Sequence, residues 1–517
     1  MASLVSDQKP RKQYSLKNLA LGSGLGVSKQ MLFAVIGFFI MPFVVHKLGT
    51  VQYGIWAVAG TFIGYYTFFD LGLSGAVFTH LAYAFGREDH EDARDIYGAG
   101  VLIFAVLGVV LLAITVGLAV GVRLMHYDHS VTLSTILLIV GIGVAWGFGM
   151  RVPFGALNAG QYFHITSGAI ILNSLLNATG TVILLETHHG VVALAWLSIF
   201  IGLPTNALVI WTVHRKFPFL KIFSWPRWNR KVARKLLHFG GAVMVGKIAD
   251  RVRFQTDTLT VSFFVGLAAV AHYNIGSTLV IYYLDIIGSI IFVLMPVLSM
   301  QKSVNDDAGF ERSFLSGCRV ALAASSFIAF GMIAWSRDFV IRWMGPSFVD
   351  VYPVIVILSL AVFLETAQST SVNALYATLH EKAYAALNIS EAIANLVLSL
   401  LLVRPYGMIG VAYGTLIPSI VFRGIIQPIV VERLLHIGIR KTAGVYLRTG
   451  ARCAAFLAVP WLIAHYFLAP DYPHLIFVGV LSAIVYVLPM WWLEFDGIGA
   501  DRVLAKARAA RRILLAR

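Results

Sequence analysis

The feature that leaves this 517-residue chain least freedom is the recurrence of apolar segments of bilayer-spanning length. A hydrocarbon core about 30 Å thick asks for roughly 20 mostly apolar residues per helix. Segments of that kind fall at about 20–45, 52–80, 96–121, 131–156, 161–186, 190–213 and 236–265. Seven more follow at about 268–299, 313–335, 351–378, 383–403, 406–431, 445–468 and 474–494, making fourteen. The longest polar interruption, 214–235, is too short to bury a core of its own. Catalysis in an appended soluble domain is therefore excluded. With 58% apolar residues, 13% charged residues and a mean hydropathy of +0.80, the chain is far from the soluble norm of about a quarter charged. A closed β-barrel is the other spanning architecture that pairs its backbone internally. Runs such as 101–122, however, lack the alternation of barrel strands. The expectation is an all-α polytopic membrane protein with 14 transmembrane helices.

Basic residues accumulate on the cytoplasmic side of short loops. With the N-terminus inside, most of the 40 Lys and Arg fall in inner segments, and only Lys47, Arg123, Arg337, Arg342 and Arg404 fall outside. Both termini are expected in the cytoplasm. Topology thus accounts for the net charge of +15, and no nucleic-acid partner is needed. The first apolar segment is too long for a signal peptide and no small-residue cleavage site follows it, so it is expected to remain as the first helix. The tail 500–517, basic residues among Ala and Leu, reads as an amphipathic helix on the anionic inner leaflet. Cys318 and Cys453 both lie in apolar segments, which leaves neither a disulfide framework nor a Cys metal site. No Walker-type glycine loop is present, and no cofactor is expected.

The basic loop places six spans before it and eight after. The expected organisation is an N-terminal lobe (1–213, six helices), a basic cytoplasmic linker (214–235) and a C-terminal lobe (236–431, six helices). A terminal helix pair (432–494) and a basic cytoplasmic tail (495–517) complete the chain. A weak internal repeat supports two like lobes: Lys29, Gly49, Tyr65-Tyr66 and Asp70 recur at similar spacing as Lys247, Gly266, Tyr282-Tyr283 and Asp285.

Ionisable residues inside a span cost a few kcal/mol or more, about 2.5 at the least, unless they face a partner or water. The seventh span carries Lys247, Asp250, Arg251, Arg253 and Asp257 on one face. Two readings stand: a lattice of i+3 and i+4 ion pairs locking the lobes, or the cationic wall of an aqueous cavity. Lys29 is drawn into the first span because the uncharged run 30–45 cannot cross alone. It either snorkels to the inner surface or joins that cavity. Asp70, Asp285, Glu365 and Glu391 are the other acids expected to be buried. Each could couple transport to a proton or cation, or pair structurally with a helix-borne arginine. Arg151, Arg319, Arg423 and Arg452 are expected to snorkel from helix ends. The paired tyrosines could stack on sugar rings or sit at interfaces.

The run Pro42-Phe-Val-Val-His-Lys-Leu-Gly49, then Tyr53-Gly54-Ile-Trp56, then Asp70-Leu-Gly-Leu73 resembles the N-terminal signature of the Wzx-type polysaccharide and O-antigen flippases of the multidrug/oligosaccharidyl-lipid/polysaccharide superfamily. Val265-Gly266, Met344-Gly345-Pro346 and the run Tyr406 to Ala412 agree in order. The resemblance implies two six-helix lobes around a central cavity and a further helix pair, set in a bacterial inner membrane. It also implies a cargo, an undecaprenyl-diphosphate-linked oligosaccharide, moved from the inner to the outer leaflet. Besides membrane lipid, a polysaccharide polymerase and a chain-length regulator are the candidate partners. Lys29, Lys247, Arg251 and Arg253 would then hold the diphosphate, arginine bidentately and lysine as a point charge. A drug exporter of the same superfamily is the nearest rival, although it would want an acidic, aromatic cavity. A membrane polymerase or ligase acting on lipid-linked glycan, and a scaffold without transport, are rivals of other kinds.

Overall fold

The structure, a computed structural model, describes residues 16–70, 72–125, 128–220, 229–291, 293–467 and 472–495, with side chains except at 16–31, 34, 238–254, 463–467 and 492–495. Every described element is helical. Among the described residues, 10 helical stretches are long and apolar enough to cross a membrane. The chain is an all-α, multi-pass membrane protein. It divides into two compact units, Met1–Lys247 and Ile248–Arg517.

The first unit holds α1 (Leu16–Tyr66), α2 (Leu73–Gly86), α3 (His90–Leu124), α4 (Ser130–Ala159), α5 (Phe163–Glu186), α6 (Val191–Lys216) and the start of α7 (Arg230–Phe264). At 51 residues α1 is too long for one crossing, and it breaks at Gly49, φ 78° and ψ 163°. A side chain there would be strained, so glycine serves. The span expected at 52–80 is interrupted by a 3-10 turn, Thr67–Asp70, and by Gly72 at φ 69°. Asp70 makes the interruption tolerable. Its Oδ1 accepts from the Ser74 backbone N–H (3.3 Å) and hydroxyl (2.6 Å), which serves a donor that the new helix start leaves open. The core of the unit is built on Leu73, Leu81, Phe104, Phe148, Leu157 and Val213. α3 and α4 approach closely at Gly108, where a Cβ would lie 2.8 Å from the Ala145 carbonyl oxygen.

The basic loop is not wholly a free linker. Phe217, Leu220, Ala233 and Leu236 are buried in the first core, and Phe217 stacks on Phe85 at 4.8 Å. Apolar residues on both sides of 221–228 thus pack into the first core, and the division between units falls inside α7. Residues 221–228 themselves lie outside the described residues.

The second unit continues α7 and adds α8 (Leu267–Ile291), α9 (Leu294–Ser303), α10 (Asp307–Trp343), α11 (Val351–Ala367) and α12 (Ser369–Ala377). α13 (Glu381–Ser419), α14 (Gln427–Leu435), α15 (Ile439–Phe467) and α16 (Tyr472–Phe495) complete it. Gly266, at φ 117°, ends α7. The two glycines matched in the sequence repeat, Gly49 and Gly266, therefore both occupy the left-handed side of backbone space. The repeat's tyrosines also agree: Tyr66 bonds the Thr115 hydroxyl at 2.6 Å, and Tyr283 donates to the Ser325 carbonyl at 3.0 Å, both rings being buried. α10 starts with Asp306 accepting from Gly309 N at 2.8 Å. α16 docks on it, Tyr486 donating to the Ala323 carbonyl at 2.9 Å above Cys453 and Met490. The stretch Glu381–Leu435 is 55 residues long. It breaks at Gly407 (φ 59°, ψ −138°) and passes through a π-helical turn, Ile420–Ile426, before α14.

Candidate functional site

The two arms of this stretch face each other through polar side chains spaced about one helical turn apart. On the arm before Gly407 these are Asn388, Glu391, Asn395 and Ser399, and on the arm after it Thr415, Ser419, Arg423 and Gln427; all eight are buried. Residues three or four apart share a helix face, so the two rows lie along one seam. Each partner is short or precisely placed. Ser399 donates to the Val411 carbonyl at 3.4 Å, Asn395 Nδ2 to Thr415 Oγ1 at 2.9 Å, and Ser419 to Glu391 Oε1 at 3.0 Å. Close approach at Gly414, where a Cβ would fall 2.2 Å from Ser399 Oγ, lets the arms meet.

Asp257 of α7 joins the seam from outside. It is 2% exposed, and its Oδ2 accepts from Tyr273 OH at 2.8 Å and from Thr415 Oγ1 at 2.9 Å. Tyr273, Thr415 and Asn395 are neutral. Asn395 Oδ1 is buried without a hydrogen-bond partner among the described residues. The Thr415 hydroxyl thus links the Asp257 carboxylate to the Asn395 amide and lies 3.5 Å from the Val411 carbonyl of its own helix. Hard oxygen donors suit a hard cation, and a single carboxylate suits a monovalent ion or a proton. Among the described residues no group of three or more His, Cys, Asp or Glu is placed to hold a metal ion.

One turn further along, Arg423 and Glu391 neutralise each other. Arg423 Nε lies 2.7 Å from Glu391 Oε2, with side-chain exposures of 3% and 2%. Arg423 Nη1 donates to Gln427 Oε1 at 3.0 Å, Nη2 donates to Asn388 Oδ1, and the guanidinium lies over the Tyr384 ring at 5.5 Å. Arg423 therefore does not snorkel as its sequence position suggests. The π-helical turn directs it inward, where partners outbid the distant headgroups. Arg151 does not snorkel either: it meets Asp70 at 2.8 Å and lies over Phe148 at 4.4 Å. Asp70 and Arg151 keep 20% and 28% side-chain exposure, so this pair at the helix break is far less enclosed.

The other sequence candidates fare differently. Asp285 is exposed rather than buried, because it stands two residues from each of Tyr283 and Ile287, which turn α8's inner face to the core. Glu365 on α11 is half-buried. The side chains of Lys29, Lys247, Asp250, Arg251 and Arg253 lie outside the described residues, although their backbones belong to α1 and α7. Sequence reading missed Asn388, Asn395, Ser399, Thr415, Ser419 and Gln427. Their four-residue spacing within apolar spans was the available signal, and neutral polar residues in a membrane helix draw less notice than charges.

Residues 21–302 match the family model described as polysaccharide biosynthesis protein. Over 481 residues the chain is 22% identical to the uncharacterized membrane protein EpsK of Bacillus subtilis (strain 168), spanning 89% of this chain and 92% of EpsK. Its fold is similar to lipid II flippase MurJ in an inward closed conformation, with a TM-score of 0.71 and 15% identity over 93% of this chain and 100% of that one. It is also similar to an inward-facing multidrug resistance MATE family transporter of the MOP superfamily, with a TM-score of 0.68 and 13% identity over 80% and 95% of the two chains.

Proposed function

Because the chain belongs to the polysaccharide biosynthesis protein family, we propose that it is a flippase carrying undecaprenyl-diphosphate-linked oligosaccharide repeat units from the inner to the outer leaflet of a bacterial inner membrane. It acts as a transporter and not as an enzyme. The fold likeness to a lipid II flippase and to a MOP-superfamily transporter supports this reading. In the proposed arrangement the chain crosses fourteen times, with two six-helix lobes, a terminal pair and both termini in the cytoplasm. Among the described residues, ten helical stretches of spanning character, several of them broken and longer than one crossing, are compatible with that count.

The observation that supports ion-coupled transport is Asp257, a buried acid whose Oδ2 accepts from the Tyr273 and Thr415 hydroxyls, where α7 meets the arm of α13 after Gly407. Burial favours the neutralised form of a carboxylate, so such a group can take up and release a proton or a cation. Release of that ion on one side gives the two conformations of a carrier unequal energies, which is what drives a cycle of alternating access. Upstream on α7, Lys247, Arg251 and Arg253, with Lys29 on α1, are proposed to hold the diphosphate. Outward movement of an anion is further helped by an inside-negative potential, about 2.3 kcal/mol per charge per 100 mV. A cationic site opposes the rival export of organic cations.

The test replaces Lys247 or Arg251 with Ala in cells whose surface glycan depends on this chain. Lipid-linked repeat units should accumulate on the inner leaflet while protein levels hold. Undiminished surface glycan would remove those residues from the site.

A further inference from the structure

At the ends of three helices in the first unit lies a recess of about 110 Å³. His80 of α2, Asp92 of α3, and Lys231 and Lys235 of α7 line it, with Ile96 and Leu236 as its apolar wall. The chain builds this recess with care. Asn229 Oδ1 accepts from the Lys231 backbone N–H at 3.1 Å and so caps α7, while Asn229 Nδ2 donates to Asp95 Oδ2 on α3 at 2.8 Å. Ala233 and Leu236 are buried in the core, and Lys231 and Lys235, one turn apart, are exposed. Asp92 is engaged by Arg87 at 2.9 Å, so the acid in the lining is already matched by a cation. Two ammonium groups therefore leave the recess a surplus of positive charge, and the His80 imidazole adds a polar group to its lining.

We infer that this recess is a binding site for a phosphate group, supplied by the headgroup of an anionic phospholipid. The ends of α2 and α3 and the start of α7 mark the membrane surface, which is where headgroup phosphates lie. Lysine ammonium groups on flexible stems adapt to a phosphate as point charges, and the adjoining Ile96 and Leu236 suit the apolar side of an amphiphile. The recess has room for a phosphate and none for an oligosaccharide, which separates it from the proposed cargo site. A headgroup seated here holds the start of α7 against α2 and α3. The inference stands independently of what the chain transports.

The full chain in neutral detergent is titrated with short-chain phosphatidylglycerol, with phosphatidylcholine and with inorganic phosphate, and binding is read by native mass spectrometry. Phosphatidylglycerol should bind and phosphatidylcholine should not. Each of K231Q and K235Q should weaken binding about fivefold and the pair about thirtyfold, from roughly one headgroup contact's worth per lysine. K231R/K235R should retain binding. K302Q/K382Q, an equal loss of charge in the second unit, should bind as the native chain does. Inorganic phosphate binding as tightly, with the same loss in K231Q/K235Q, keeps the phosphate site and overturns its lipid source. Equal weakening in both double variants, or none in either, overturns the site.

Discussion

Asp257 and Arg423 are both buried, and the proposed mechanism gives them different roles. Asp257 accepts from the hydroxyls of Tyr273 and Thr415, and Arg423 meets the Glu391 carboxylate and two amides. Asp257→Asn keeps the shape and removes the titratable charge. It should lower ion-driven transport at least about tenfold, as loss of roughly 1.4 kcal/mol or more would, while the protein still accumulates and unfolds as before. Thr415→Val, which removes one donor, should weaken ion dependence less. Arg423→Met should act on stability instead, costing about 3–5 kcal/mol because Glu391 is left buried and charged. Adding Glu391→Gln should recover part of that loss. Thermal unfolding of the two single variants and the double variant checks this, and a loss in the double variant equal to the sum of the two single losses would show that the two side chains are not coupled.

The breaks in the helices matter as much as their lengths. Gly49 and Gly266 turn the chain at positive φ with nothing within 4 Å of a built Cβ, so backbone strain rather than crowding should set the cost of substituting them. Gly49→Ala and Gly266→Ala should each destabilise by about 1–2 kcal/mol, whereas Gly60→Ala, helical and equally uncrowded, should not; chemical denaturation of the three variants separates the effects. These two glycines were legible in the sequence because the repeat aligned them. The interruption at Thr67–Asp70 and the π-helical turn at Ile420–Ile426 were not, since an apolar window records length and hydropathy but no backbone path. For the same reason the helix-borne acids could be recognised from cost alone, while their partners could not. Arg151 and Arg423 looked like residues near helix ends, and tertiary packing gave Asp70 and Glu391 to them. The seam from Asn388 to Gln427 escaped notice because its members are mostly neutral and become a network only when two arms separated by Gly407 fold together.

Across the whole molecule, family membership and a helical, multi-pass architecture support a transporter, and the proposed function adds its cargo and its ion. The distribution of basic residues predicts that Thr187, in the exposed turn after α5, faces outward and Lys382, at the start of α13, faces inward. Native Cys318 and Cys453 are buried, so single cysteines placed at those two positions can be labelled from each side of intact cells with a membrane-impermeant thiol reagent. Labelling of the first alone is expected, and labelling of the second alone would invert the topology. The central claim is tested most directly by reconstituting the full chain in liposomes with an undecaprenyl-diphosphate oligosaccharide and following its leaflet distribution under an imposed proton or sodium gradient. The account predicts gradient-dependent movement of the lipid-linked glycan that is lost in Asp257→Asn. An unmoved glycan lipid in liposomes where an organic-cation dye is transported would contradict it.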